Sequence, residues 1–557
     1  MGRSMTHVPA HFFVFVNYYL TQFSSLGRKI QNNLTMSIPH RNLSHFTVGL
    51  RKKMSRPKRK STQPIILDKL KRVKADPTHP NDAIHLNVES EYSADGHPFF
   101  DTKWTDKLKM EIRKRAIDIK KFDDSKLTME QTNVRDGLLD AASTCIVTGE
   151  AGSGKTYVQM SLIKRLKENK ENVFRIGPTH GSVANLPNDS CTYQTFFSMP
   201  PKHNYLDHEL STHHVKEMRS AAMRQPFIQR AKHRQEISTL IIEEAGMISC
   251  EVIDLIFSVL DVIAPNRFRV FLFFDILQLA PVEGNSIIES DNVKHAQTFV
   301  LRTNMRQTGD EEDFLDLLRA TAKNNIDDSH YVMLQSRRVG PYSQVATRKL
   351  CARNTTVDAH NLAHLNSLTE DVYTYRALDI AIKKMPDYGL ARSTRWVSWG
   401  IGAKIVFEST PLHEVGLYNG VTGTIIDTVA TDTDMILPVV CVDKYDMKIV
   451  VHPYTEEILT EVSGATAPTV QAHRTQFPFS IADATTVHKV QGLTLDCPVE
   501  IDFKDMTSPG QIYTALSRLT RLEYLTIKNL PPNKFNGGME GLRVSDSAKE
   551  WCEKVGL

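Results

Sequence analysis

The chain has 557 residues, 41% hydrophobic and 24% charged, a globular balance that excludes a disordered or fibrous protein and leaves room for three or four domains. Its formal charge of +4 hides an asymmetry, because residues 1–67 hold eleven Lys or Arg and no acid, leaving 57 basic against 64 acidic residues, or −7, for the remainder. A polyanion-binding groove on the body is therefore a local patch, and seven cysteines placed singly exclude a CxxC zinc site or a disulfide framework.

In chain order, residues 1–67 read as a basic tail. Its run RKKMSRPKRK, from Arg51 to Lys60, has the composition of a nuclear-localisation cluster, and the acid-free Ser- and Arg-containing stretch before it resembles a mitochondrial presequence. The nucleus is the expected compartment and the mitochondrion the alternative; Met36 and Met54 are further candidate starts. The apolar patch from Phe12 to Leu20 is broken by Asn17 and is far short of the ~20 residues of a membrane span, so no membrane association is expected.

Residues 68–125 form a variable N-terminal region in which helical spacing begins near Trp104, and KLTMEQ opens a helix running toward Ala142. The pattern then changes. STCIVTGEAGSGKTYVQMSLIKRL reads as buried strand, glycine loop and helix, the opening unit of a parallel α/β domain. NVFRIGP, STLIIEE and FRVFLFFD read as strands buried on both faces. The first domain is expected over 126–291. A second α/β set, 292–395 and 477–557, is interrupted over 396–476 by a β-rich piece containing AKIVFE, GTIID and PVVCVD.

Gly149, Glu150, Ala151, Gly152, Ser153, Gly154, Lys155 and Thr156 satisfy G-x-x-x-x-G-K-[ST] between a strand and a helix. Glycines let the backbone amides wrap a triphosphate, and the helix N-terminus adds its positive end. Lys155 reaches the terminal phosphates and Thr156 binds Mg²⁺; Tyr157 follows in the nucleotide set. Such a site needs a second carboxylate-bearing strand. LIIEEAGM supplies Glu243 to hold Mg²⁺ through water and Glu244 as the base that orients the attacking water. FLFFDILQLAPV ends in Asp275 and Gln278, a candidate polar sensor.

The order and spacing of these segments resemble the Pif-type and RecD-like DNA helicases of superfamily one, over roughly residues 126–530. Gln131 of KLTMEQ takes the place of the family's adenine-reading glutamine. RIGPTHGSVANL resembles motif Ia, with Pro178 and Thr179 near a bound strand. CTYQTFF resembles a family segment in which histidine is usual where Gln194 stands, and it places Phe196 or Phe197 to stack on a base. LRTNMRQTGDEEDF resembles motif IV and GQIYTALSRLTRLEYL motif VI, which implies Arg306 and Arg518 as two arginine fingers. DATTVHKVQGLTLD is similar to motif V, with Thr486, His488 and Lys489 on the phosphate-sugar track and Gln491 and Gly492 at the nucleotide. LYNGVTGTIID is similar to the small SH3-like insertion of these enzymes and places Asn419 on DNA.

The resemblance implies two RecA-like parallel-sheet P-loop domains with an SH3-like β insertion in the second, and a wedge near 190–235. It implies a 5′-to-3′ DNA helicase using ATP and Mg²⁺ on single-stranded and forked DNA. Such a motor serves replication, repair, recombination or telomere maintenance, as a monomer on DNA with replication or repair proteins as partners. Two departures stand out: Glu243 replaces the usual aspartate, and Phe274 replaces the usual glycine before Asp275. They motivate a competing reading, a helicase-fold DNA-binding scaffold impaired in hydrolysis. An RNA or nuclease-coupled motor is a third reading, although the sequence carries no appended nuclease constellation.

Overall fold

A computed structural model describes residues 119–183, 190–197, 199, 211–234, 237–307, 309, 311–340, 346–368, 370–381, 394–408, 417, 420–431, 435–443, 446–460, 469–530 and 543–557. The basic tail, most of the 68–125 region, Asn419 and part of the expected wedge lie outside the described residues. No described helix is long and apolar enough to cross a membrane.

The first sheet is wholly parallel. It comprises β1 (Cys145–Gly149), β2 (Asn172–Gly177), β3 (Ser190–Thr192), β4 (Ser238–Ile242), β5 (Phe268–Phe274) and β6 (Gln297–Leu301), in the order β3-β2-β4-β5-β1-β6. Both faces of β1, β4 and β5 are covered, which is why these strands read as apolar runs, whereas the edge strand β6 is mostly half-buried. In β5, Val270, Leu272 and Phe274 enter one core with the helix Cys250–Ile263, while Phe271 and Phe273 enter the other with the helices Met129–Asp140 and Lys155–Glu168. These three phenylalanines are fully buried, and truncating such a side chain costs about 3–5 kcal/mol.

The boundary expected at residue 291 is corrected by β6. This strand pairs in parallel with β1, Thr148 opposite Val300, so the first sheet runs ten residues further. The expected 477–557 segment needs a second correction. Its last helix, Asp546–Val555, buries Ala548 and Cys552 in the first domain's core and sets Trp551 5.7 Å from Phe274. The apolar positions 548, 551 and 552 recur at helical spacing and need a partner face, and the first domain supplies one.

The second half opens with β7 (Arg348–Cys351). Ten strands intervene: β8 (Tyr373–Arg376), β9 (Leu378–Ala381), β10 (Trp396–Trp399), β11 (Lys404–Phe407), β12 (Thr422–Ala430), β13 (Ile436–Val442), β14 (Met447–Val450), β15 (Tyr454–Thr460), β16 (Thr469–Gln476) and β17 (Phe479–Ile481). The chain returns with β18 (Ala484–Thr486), β19 (Val499–Asp502) and β20 (Leu525–Lys528), giving a second parallel sheet β18-β7-β19-β20.

The intervening strands form an antiparallel sheet β14-β13-β12-β11-β17 over a core of Trp399, Phe407, Ile425 and Val440, with a ribbon β10-β8 and a sheet β15-β16-β9. The insertion is therefore wider than 396–476. β8 alternates half-buried with exposed residues and presents no apolar run from which to read a boundary, and β17 completes the sheet from beyond the expected end.

Candidate active site

The phosphate loop leaves β1 and enters the helix Lys155–Glu168 through Gly154, which has no side-chain cap and a φ of 83°. The first amides of that helix are thus left facing the loop. Gly152 also lies in the left-handed region at φ 87°, and a Cβ there would stand 2.8 Å from Arg306 Cβ, so both backbone and packing require glycine. Lys155 Nζ donates to the carbonyl oxygens of Gly149 at 2.7 Å and Glu150 at 3.1 Å. Glu150 itself faces Arg319 at 3.8 Å.

Glu243 follows directly on β4 and is buried. One carboxylate oxygen accepts from Thr156 Oγ1 at 2.8 Å and the other from Gln159 Nε2. Burial pushes its carboxyl pKa up and the Arg175 guanidinium opposes the shift. Thr156 and Glu243 together fit a magnesium ion that keeps most of its water and takes its other ligands from phosphate. No group of three or more His, Cys, Asp or Glu that could hold a metal occurs among the described residues. Glu244 turns out of the strand at φ 48°, and its carboxylate lies against Gly492, where a Cβ would stand 3.4 Å from Glu244 Oε1.

Asp275 ends β5. Its Oδ1 accepts from the Leu277 amide at 3.1 Å, and its Oδ2 accepts from Gln278 Nε2 at 2.8 Å and from the Tyr513 hydroxyl at 3.2 Å. Tyr513 is fully buried, and its hydroxyl also accepts the phosphate-loop amide of Ala151 at 3.2 Å. Gly510 starts the helix Gln511–Leu516 at φ 77°, where a Cβ would meet the Leu277 and Gln278 carbonyls at 2.8 Å. This close approach is what lets Tyr513 cross the seam between the two halves.

Arg306 lies in the loop after β6, which is clasped to the phosphate loop. Asn304 Nδ2 donates to the Ala151 carbonyl at 2.9 Å and the Met305 amide to the Gly152 carbonyl at 2.7 Å. The second of these bonds is a backbone pairing of the two loops, so Arg306 rests on the phosphate loop whatever its side chain does. Asn304 Oδ1 accepts the Arg306 amide at 2.9 Å, and the Arg306 guanidinium donates to the Ser517 carbonyl. Arg518 is fully buried and donates to the Thr514 carbonyl at 3.1 Å, the Leu493 carbonyl at 3.4 Å and Ser517 Oγ at 3.1 Å.

Lys155, Arg306 and Arg518 all lie within electrostatic reach of Glu244 and Asp275. Burial and the like charge of Arg518 pull the Arg306 guanidinium pKa down to about 9, against the opposing pull of Glu244 and Asp275. Burial also lowers Arg518 and Lys155, again opposed by Glu244 and Asp275. Three cations so placed, Arg518 buried and Lys155 and Arg306 half-buried, favour a polyanion, whose charge would relieve their mutual repulsion. Ser153 Oγ in the phosphate loop, Gln278 Oε1 beside Asp275 and Gln491 Oε1 next to Gly492 are buried without hydrogen-bond partners. The residues present fit a bound triphosphate.

The remaining expected residues divide. Gln131 is buried beside the loop, but its amide is already engaged: Oε1 accepts the Thr128 amide in a capping box and Nε2 donates to the Ser153 carbonyl. Tyr157 turns toward Phe122, with ring centroids 4.7 Å apart. Pro178 and Thr179 lie half-buried just past β2, where Thr179 Oγ1 accepts the Ser182 amide at 3.2 Å. Thr486 is buried at the start of a short 3-10 helix, His488 is half-buried, and Lys489 is exposed and 3.7 Å from Glu408.

Phe196 and Phe197 are corrected. Both are fully buried in the first core, packed on each other at 4.8 Å, with Phe196 against Phe174 and Phe227, so neither presents a face to a base. Around them, Met218, Ala222 and Ile228 of the expected wedge join the same core. Asn419 lies outside the described residues.

Tyr513, Arg175 and Gln159 were not singled out from the sequence. Tyr513 lies on the helix Gln511–Leu516, five residues before Arg518, and the tight packing at Gly510 has no sequence signal. Arg175 did leave one: a lone charge inside the apolar strand NVFRIG is rarely buried without a partner.

A model described as an AAA domain matches residues 126–337. The chain is 24% identical over 446 residues to the ATP-dependent DNA helicase Pif1 of Campylobacter jejuni, covering 74% of this chain and 95% of that protein. It is 26% identical over 319 residues to human ATP-dependent DNA helicase PIF1, covering 53% of this chain. The chain spans about half the length of that human relative, 46%. Its fold is similar to that of a Bacteroides Pif1 helicase in complex with ADP-AlF3 and ssDNA, with a TM-score of 0.59 and 21% identity, covering 77% of this chain and 97% of that one.

Proposed function

We infer that this chain, a Pif1-like superfamily-one helicase, couples ATP hydrolysis to movement along single-stranded DNA and to unwinding of duplex. The observation that carries the reading is the meeting of the two parallel-sheet halves at the phosphate loop: the Arg306 loop is clasped to it and Arg306 donates to Ser517, next to the buried Arg518, while Glu244 lies against Gly492 and Asp275 accepts from Tyr513. Arginine holds a fixed charge and a fork of donors, so it stabilises charge on a transferring phosphoryl group and loses that hold after hydrolysis.

Each residue has a task set by its place. The amides of 152–156 and Lys155 bind the phosphates, and Glu244 takes the position from which a water is oriented for attack. Thr156 and Glu243 would hold Mg²⁺, which neutralises developing phosphate charge when bound. Tyr513 and Asp275 tie the nucleotide to the second half.

Pro178, Thr179, Thr486, His488 and Lys489 form the proposed track for the DNA backbone, where hydroxyl, imidazole and ammonium groups suit phosphate contact better than base stacking. Movement is 5′ to 3′, on single-stranded and forked DNA, by a monomer that works with replication or repair proteins in the nucleus; a mitochondrial location is the alternative.

The structure of the two departures favours the motor over a scaffold. Phe274 is fully buried and packs on Trp551, so its bulk is absorbed by the core and not by the nucleotide cleft. Glu243, although one methylene longer than aspartate, meets Thr156 at 2.8 Å.

Two assays test the reading. Lys155→Ala should abolish DNA-stimulated ATP hydrolysis in a protein that still folds; retained hydrolysis refutes the assigned site. Partial duplexes with 5′ or 3′ overhangs should be unwound only from the 5′ overhang, and failure on both refutes the motor.

A further inference from the structure

A continuous hydrogen-bonded path runs from the Glu243 carboxylate to the turn after β2. Glu243 accepts from Gln159 Nε2, and Gln159 Oε1 accepts from Arg175 Nη1 at 2.8 Å. Arg175 Nη2 donates to the Ser182 carbonyl at 3.3 Å. Ser182 then closes on Thr179: its Oγ donates to the Thr179 carbonyl at 2.7 Å and its amide to Thr179 Oγ1 at 3.2 Å. Glu243, Gln159, Arg175 and Ser182 are all buried. The path therefore lies in low dielectric, where a moved partner is felt by its neighbours.

The geometry also explains how Glu243 occupies a place where a shorter carboxylate is usual. Thr156 and Gln159 lie three residues apart on one helix face and each takes one of its two oxygens. Gln159 is itself fixed by Arg175.

A purely structural part for Arg175 is a poor account of it. Its Nε is buried with no hydrogen-bond partner, and a buried ionic network is weak evidence for stability, since apolar residues of similar volume commonly serve as well or better.

The structure assigns to Gln159 and Arg175 the part of positioning residues that couple a DNA strand held at Pro178 and Thr179 to the orientation of the Glu243 carboxylate. Strand contact at Thr179 shifts the Ser182 bonded to it, Arg175 follows the Ser182 carbonyl, and Gln159 transmits the change to Glu243. By linkage, nucleotide bound with Mg²⁺ must alter DNA affinity by the same factor that DNA alters nucleotide affinity. This rests on the proposal that 178–179 contact DNA.

The test measures that factor with the full chain. Binding of fluorescent oligothymidine is followed by anisotropy with and without Mg²⁺ and a non-hydrolysable ATP analogue, and binding of the analogue with and without oligothymidine. In the wild type the two ratios should agree, at about tenfold. The double variant Gln159→Met with Arg175→Met replaces the polar pair by side chains of similar length. It should bind oligothymidine without nucleotide within about threefold of wild type while its ratio falls to within about twofold of unity. An unchanged ratio overturns the coupling, as does a wild-type ratio near one.

Should the double variant not fold, Arg175→Lys decides. It keeps the charge but cannot bridge Gln159 and Ser182 together, so the ratio should drop at least about threefold, and a wild-type ratio overturns the proposal. Wild-type protein that does not bind oligothymidine at all refutes the DNA reading beneath it, which is a separate failure.

Discussion

The Tyr513 hydroxyl lies 3.2 Å from the Ala151 amide and 3.2 Å from Asp275 Oδ2. One buried phenol therefore joins the phosphate loop, the Asp275 that follows β5, and the helix that leads into Arg518. Burial, reinforced by Asp275, raises its pKa well above the usual 10, so it stays protonated and donates to the carboxylate while accepting the amide.

Replacing Tyr513 with Phe keeps the ring's packing and removes this junction. The Ala151 amide and Asp275 each lose a buried partner, a loss of about 1–3 kcal/mol. Because the lost contacts bridge the two halves, the effect should fall on turnover: DNA-stimulated ATPase kcat is expected to drop about tenfold, since about 1.4 kcal/mol is one decade. Steady-state ATPase assays check this, and a kcat within about twofold of wild type would remove Tyr513 from the coupling machinery.

What could be read from the chain follows from how local each feature is. The phosphate loop and Glu243 sit at the ends of short apolar strands, and strand, loop and helix are covalent neighbours, so their geometry follows from residue type and order. Tyr513 and Ala151 are 362 residues apart, and Phe274 and Trp551 are joined only by the fold, so neither contact has a local signature.

Phe196 and Phe197 show the opposite error. An aromatic pair in a polar-looking segment suits base stacking in isolation, but the surrounding Phe174 and Phe227 give it a core to enter, and large apolar side chains take that option when it exists. The domain limit near 291 failed because β6 is read only by its pairing with β1, which no apolar count around Asn292 reveals.

Arg306→Lys and Arg518→Lys should separate binding from hydrolysis. Lysine keeps one positive charge but lacks the planar fork. A fluorescent ATP analogue should bind each variant within about tenfold of wild type, while hydrolysis falls by about 10³-fold or more, the scale of losing an arginine finger. Loss of nucleotide affinity to the same extent as loss of turnover would instead mark these arginines as ground-state contacts.

The C-terminal helix should be a structural part of the first domain. Phe274→Ala empties a fully buried site and is expected to cost about 3–5 kcal/mol, and Trp551→Ala about 2–4 kcal/mol because that ring is only partly buried. Their coupling in a double-mutant cycle should be about 0.5–1.5 kcal/mol, as for an aromatic pair. Urea denaturation of the single and double variants measures it, and strict additivity would mean that the helix does not pack on β5 in solution.

His488 makes stability depend on pH in a predictable direction. Burial lowers its pKa below the usual 6.5, so the native chain resists a proton that the unfolded chain accepts. Above that value both states are neutral and the histidine has no effect. As pH falls through it, the unfolded state gains protons first and stability declines. His488→Gln cannot take up this proton, so its urea midpoint should fall less than that of wild type between about pH 7.5 and pH 5.5. Equal losses in the two proteins would show that the acid sensitivity arises elsewhere, and that the imidazole just past β18 is solvated rather than held neutral against the fold.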